Sequence, residues 1–483
     1  LSSKYNSLSA VCSRFNGITS LLLLVIFFFC HSTRARADVG VILNESLDTS
    51  VARITGSGHT AVYFSHICQA SPVKLRLCHA GEQGSVISNY TTLGEDQPFE
   101  WNVVPLSIYL YGVEDPANRP MFGSPDIKRL LEERYREKYL TGLCEGEICR
   151  TSNKSEWREM VAATLERSMY IFVIKTTFAQ DEALIEDFNS APNENHFNGM
   201  TRNCADFARR IINSYFPKAV KGDYLNDFGM TSPKAIARSF SKYAYRHPDS
   251  NFRVYHFVQA PGSIKRSTPA RTGSEQLYRS KKLLVPMLLF APHELPLFAA
   301  SYWITGRFNP QRELERHPAM GADPVEYRTA AKGQHRTNVL GSSDEWTAYR
   351  WQYDSLVDVA VNENAIPDRD YLGRVLKRLD AKGAPAIDAG GALWLQSNSN
   401  DREFRVGLSA SNILSADSDP KIAYGLLLAR TGYQLRTPKH SRENMTDFRT
   451  DWALLRAGQE KSDLAASDSP ASRRVAALGR GGR

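Results

Sequence analysis

The chain has 483 residues, 42% hydrophobic and 23% charged, with a formal charge of +8, which leaves room for two or three domains. Four of its 60 basic residues and none of its 52 acidic ones precede Asp38, so the remainder carries only +4. No dense basic stripe with interleaved aromatics runs along it, which speaks against a nucleic-acid partner.

Residues 1–37 read as a secretory signal. Lys4 and Arg14 give a positive start, residues 18–30 form an unbroken apolar core, and Ala35-Arg36-Ala37 places small residues at −3 and −1 of a cleavage site. The apolar run is short for a bilayer span, which needs about 20 residues. The expected product is exported, begins at Asp38, and is periplasmic or associated with the envelope membrane.

Beyond the signal, residues 39–43 and 60–64 have strand character, separated by a loop ending Gly56-Ser57-Gly58, and 73–77 and 101–112 continue the β pattern. Ser124-Pro125 opens a helix with a Ser cap, Pro at the first position, and apolar Ile127, Leu130, Leu131, Tyr135 and Tyr139. A second helix is expected from about residue 155, burying Trp157, Met160, Val161 and Leu165. A strand over 170–175 and a helix over 180–188 follow, then a polar loop over 189–203. A helix from Cys204 carries Phe207, Ile211 and Tyr215 on one face. Together these predict one α+β domain over residues 38–260.

Residues 261–282 read as a basic linker. Residues 283–305 are apolar and long enough to cross a bilayer, yet Pro286, Pro292, His293, Glu294 and Pro296 interrupt them. A kinked or re-entrant membrane segment is expected, with a buried or partner-binding stretch as the alternative. A second linker (306–345) leads to a smaller mixed C-terminal domain over 346–457. It is helical around 371–379 and strand-like at 391–395, 403–408 and 423–431. The Ser-, Ala-, Gly- and Arg-rich tail, 458–483, is expected to be disordered.

Five cysteines follow the signal: Cys68, Cys78, Cys144, Cys149 and Cys204. In an oxidising compartment an odd count leaves one thiol free. The local pairs Cys68–Cys78 and Cys144–Cys149 are preferred, although spacing does not fix connectivity, and Cys204 is then the free thiol. No second half of a zinc spacing is present, so neither a metal nor another cofactor is expected.

Cys204 stands out for its position. Asn203 is a good N-cap and Asp206 favours a helix start, which puts Cys204 at the first helical position. Helix N-termini favour a thiolate, and a thiolate is a nucleophile whose neighbouring N–H groups can stabilise an oxyanion. His59 follows the Gly-Ser-Gly turn. By period-2 alternation it shares a strand face with Ala61, Tyr63 and Ser65, and a neutral imidazole is the usual base for a cysteine nucleophile.

His59-Thr60-Ala61-Val62-Tyr63 on a strand, with Asn203-Cys204-Ala205-Asp206-Phe207 opening a helix far downstream, resembles the circularly permuted papain-like cysteine enzymes. Lecithin:retinol acyltransferase and bacterial cell-envelope relatives belong to that group. The resemblance covers residues 38 to about 240. It implies His59 as base and Cys204 as nucleophile, on a helix packed against an antiparallel sheet. The long insert over 113–167 departs from the compact members. For the third polar residue of that family, His66 points to the wrong face, while His79 shares the parity of Val73, Leu75 and Leu77. Asn203 and His196 read as a cap and a loop residue. The expected activity is a thiol hydrolase or acyl transferase acting on an amide, ester or thioester. Its substrate would be a cell-envelope peptide, peptidoglycan or lipid, and residues 283–305 would associate with the membrane. The alternative is a non-catalytic, membrane-associated envelope protein that uses a papain-like shell for binding.

Overall fold

A computed structural model of the chain describes residues 36–47, 56–89, 99–140, 159–194, 196–279, 281–303, 307–319, 343–397, 404–436 and 445–467. Residues 1–35, Trp157, the pair Cys144 and Cys149, and the tail from 468 lie outside the described residues.

Strands β1 (Arg36–Asn44), β2 (His59–Phe64), β5 (Ser85–Ser88), β6 (Asn102–Pro105), β7 (Met169–Thr177) and β8 (Arg253–Phe257) form one antiparallel sheet in the order β6-β5-β2-β1-β7-β8. β1 lies between β2 and β7, with Leu43 opposite both Thr60 and Tyr170. The strand includes the last two residues of the expected signal: Ala37 is fully buried opposite Thr176. Cleavage after Ala37 would leave Asp38–Asn44 of β1. Strands β3 (Ile67–Ser71) and β4 (Lys74–Leu77) make a separate hairpin, and the expected Cys68–Cys78 disulfide joins its two arms.

The helices explain where sequence patterns succeed and fail. Residues 101–112 are not one strand: β6 stops at Pro105, and α1 (Leu106–Tyr111) follows, ended by Gly112 at φ 74°. Pro105 has no N–H to continue a ladder, and α1 is buried on every side, so its side chains show no helical period. α2 (Pro125–Tyr139) starts as expected, the Ser124 hydroxyl accepting from the Ile127 N–H at 3.2 Å. Of the helix expected from residue 155, positions 155–158 lie outside the described residues; the described part holds the short α3 (Ala163–Glu166), preceded by Ala162 at a left-handed φ of 52°. α4 (Phe178–Ser190) begins with a Thr177/Gln180 capping box. α5 (Cys204–Tyr215) and α6 (Pro233–Arg246) follow. α6 is absent from the sequence reading, although Ser232-Pro233 repeats the signature of Ser124-Pro125.

The two faces of the sheet bury different residues. Val39, Val41, Leu43, Val62, Phe64 and Phe172 pack under α4, α5 and α6. Ile42, Ala61, Tyr63, Ile171 and Val173 pack against α1–α3 and the C-terminal elements.

The described parts of the regions expected to be linkers are structured, while 320–342 lie outside the described residues. Residues 261–272 run along the domain, with Gly262 bridged to Gly123 and Thr268 to Ser46, and α7 (Gly273–Arg279) follows. The apolar stretch breaks into α8 (Lys281–Phe290), a 3-10 turn over Pro292–Glu294, and α9 (Leu295–Ser301). Among the described residues, no helix is long and apolar enough to cross a membrane. α10 (Pro310–Arg316) buries Leu314 beside β8, where Val254 donates to the His317 carbonyl at 2.8 Å.

The C-terminal region comprises α11 (Ser343–Asn362), α12 (Tyr371–Lys382), a three-stranded sheet β9 (Gly383–Ile387), β10 (Leu393–Ser397) and β11 (Arg405–Gly407), α13 (Pro420–Arg436) and α14 (Met445–Ser467). Apart from a small cluster of its own around Trp346, Leu435, Met445 and Phe448, it shares a core with the N-terminal sheet. Leu379, Leu395, Leu427 and Leu455 join the cluster that holds Ile42 and Ile171. The Met121 N–H donates to the Leu408 carbonyl at 2.7 Å, and Arg430 donates to the Met121 carbonyl at 2.6 Å. Residues 423–431 belong to helix α13, not to a strand. They are buried throughout, and 423–429 carry no charged residue that would mark a period. Residues 458–467, expected to be disordered, continue α14.

Candidate active site

The site forms where α5 meets the start of β2. Asn203 caps α5 as expected, its Oδ1 accepting from the Ala205 and Asp206 N–H groups at 2.9 and 3.0 Å. Its Nδ2 donates to the Thr231 carbonyl at 3.0 Å, and the Thr231 hydroxyl donates to Asp206 at 2.8 Å. The turn before the helix is thereby tied to the chain entering α6. Phe207, Ile211 and Tyr215 are buried on one face, which seats α5 on the sheet. Cys204 is a free thiol at the first helical position, where the neighbouring backbone N–H groups of Thr60 and Ala205 favour its ionised form.

His59 is the first residue of β2, opposite Asn44, and is buried. The structure departs here from the expected arrangement. α5 covers the Val62/Phe64 face of β2, not the face that His59 shares with Ala61 and Tyr63. Both residues line one cavity of about 500 Å³ at the end of the strand. Asn89, Glu159, Arg167 and Thr231 line it as well.

Glu159 and Arg167 were not anticipated. They form an ion pair of 2.6 Å at the end of the 113–167 insert, with the Arg167 side chain almost fully enclosed. The signal available in the sequence was a Glu and an Arg bracketing the small, apolar run 160–165. Beneath them the Asn44 amide donates to the Tyr109 hydroxyl at 2.8 Å, and burial pushes that phenol up to about 12. The third-residue candidates stay away from the cavity. His66 contacts the Ser65 hydroxyl at 2.6 Å and packs edge-on against Phe178, while His79 and His196 are exposed.

The electrostatics also overturn an expectation. Cys204 is not held below the usual thiol range. Enclosure by protein pushes it up to about 11, against the favourable Thr60 N–H, and Glu159 adds repulsion. Burial likewise pushes His59 down to about 3, with Glu159 opposing and Arg167 reinforcing the shift. At neutral pH the resting site holds a neutral thiol and a neutral imidazole. Desolvation outweighs the helix N-terminus, whose influence is worth about 0.3–1 kcal/mol at a surface position.

Among the described residues, one group of potential ligands, Cys68, Cys78 and Glu82, is close enough to hold a metal. Its two sulfurs are joined as a disulfide, so they are not available as ligands. Comparison with family models, curated proteins and solved structures finds no match to this chain.

Proposed function

We propose that the chain is an exported thiol hydrolase or acyl transferase of the permuted papain-like kind. The observation that carries this reading is the free Cys204 at the capped start of α5, in one cavity with His59. Cys204 Sγ would attack the carbonyl carbon of an amide, ester or thioester. The S–C bond forms, the bond to the leaving nitrogen, oxygen or sulfur breaks, and the thiol proton passes through His59 to the leaving group. Water or an acceptor nucleophile then releases the acyl group and returns its own proton to the sulfur. A neutral imidazole is the form that can accept the proton. The burial that keeps the pair neutral makes direct transfer uphill until substrate enters, so a productive complex must stabilise the ion pair. Cell-envelope peptides, peptidoglycan and lipids are the candidate substrates.

The same neutral, enclosed pair favours a second reading, in which the cavity only binds. Incubation with activated acyl esters and thioesters, followed by mass mapping, separates the two. An acyl group on Cys204 that turns over in the wild type, accumulates more slowly in His59→Ala and is absent from Cys204→Ser supports the enzyme. No acylation of Cys204 by any of these donors leaves the binding reading.

A further inference from the structure

We propose that α8, the turn after it, and α9 form a monotopic docking surface for an anionic lipid bilayer. Twelve large hydrophobic residues are exposed among the described residues, and six of them fall in this short hairpin: Val285, Leu288, Leu289, Phe290, Leu297 and Trp303. Leu289 is 71% and Phe290 84% exposed. Val285, Leu288 and Leu289 follow the i, i+3, i+4 spacing that puts side chains on one helical face. Such a concentration is unlike the single exposed apolar residues scattered over an ordinary surface.

The surrounding charges identify a lipid headgroup layer as the occupant. The Arg307 guanidinium lies 3.4 Å from the centre of the exposed Trp303 ring, and Arg312 is exposed on α10. An aromatic ring beside a cation suits the boundary between headgroups and acyl chains. Of the nearby acids, Glu313 is buried and accepts the Tyr245 hydroxyl, which leaves Glu315 and the turn residue Glu294. His293 and Glu294 sit in the turn between the helices, where full insertion would bury charge, so the hairpin lies in the interface.

This surface is tied to the cavity. The Tyr278 hydroxyl donates to the Leu295 carbonyl at 3.0 Å. At the other end of α7, Glu275 takes both 2.7 Å contacts from the buried Lys234 ammonium, while Gly273 and Gln276 line the cavity. α7 has seven residues, so it places the hairpin roughly 10 Å from the cavity wall. Docking would hold the cavity near the lipid surface. The inference does not depend on thiol chemistry, and the Cys204→Ser chain should dock as the wild type does.

The test is hydrogen exchange of the full chain with vesicles of mixed phosphatidylcholine and phosphatidylglycerol, and with phosphatidylcholine alone. Exchange over 283–303 should slow about tenfold or more on the mixed vesicles, since docking closes off local opening. Leu289→Glu with Phe290→Glu should abolish the slowing. Arg307→Glu with Arg312→Glu should raise the vesicle concentration needed by about fivefold or more per substituted arginine. Three results would overturn the inference: exchange over 283–303 that vesicles leave unchanged, slowing that depends on protein concentration without vesicles, or slowing that all four substitutions leave intact. Because the readout is local, attachment through residues 18–30 alone gives the first of these.

Discussion

The Cys204 thiol should be slow to alkylate in the unliganded protein. Its environment raises it from an ordinary 9.0 to about 11, so at pH 7 the thiolate fraction, and with it the alkylation rate, falls about 100-fold below a free cysteine. The assay is iodoacetamide labelling across a pH series, read by peptide mapping at Cys204 and compared with the same chain in denaturant. The rate should climb without a plateau through pH 9, and denaturation should restore ordinary reactivity. Glu159→Gln removes a carboxylate that opposes the thiolate and should accelerate labelling. Fast labelling with an inflection below pH 8 would refute the desolvated resting site and favour a preformed thiolate–imidazolium pair.

The remaining predictions concern stability. Asp181 is fully buried with the Tyr215 hydroxyl at 2.7 Å, and its carboxyl is pushed from 3.8 up to about 7, chiefly by burial. Between about pH 4 and pH 7 the folded chain keeps a proton that the unfolded chain has lost. Stability therefore falls as pH rises through that window and is unaffected by this group above it. Relative to Asp181→Asn, the wild type should lose up to about 4 kcal/mol across the window in urea titrations, and parallel pH profiles would contradict the shift. Breaking the Cys68–Cys78 bond, which spans ten positions, should cost about 2–3 kcal/mol in Cys68→Ser/Cys78→Ser, measured by the same titration. Arg430→Met removes the cationic partner of the buried Asp451, leaving the Gln434 amide at 2.7 Å, and should cost about 3–5 kcal/mol. It should weaken the N-terminal sheet and the C-terminal helices together, and separate transitions for the two would contradict a shared core.

What was legible in the sequence was local. Asn203 as cap, Cys204 at the first helical position and the Phe207/Ile211/Tyr215 face follow from side-chain types at adjacent positions, and all three are present. The Cys68–Cys78 pairing follows from proximity along the chain. The failures arose where burial is complete. α1 and the 422–429 run of α13 are buried and apolar on every side, so their hydrophobic pattern shows no period. Strand parity placed His59 correctly relative to Ala61 and Tyr63, but it could not tell which face α5 would cover. The charge of Cys204 was misjudged for the same reason: a helix-end field can be read from sequence, whereas desolvation depends on residues that arrive from elsewhere.

Two of those residues, Glu159 and Arg167, come from the 113–167 insert, which in the sequence stood only as a departure from the compact members. In the fold its last residues, Glu159 and Arg167, form a wall of the cavity and act on both candidate catalytic groups. Glu159 favours protonated His59 and disfavours ionised Cys204, while Arg167 disfavours protonated His59. A pair held at 2.6 Å presents little net charge. A substrate that drew Arg167 towards its own polar group would leave Glu159 free to stabilise the imidazolium. In the proposed reaction that rearrangement would help His59 take the thiol proton, while the same freed carboxylate would oppose the Cys204 thiolate.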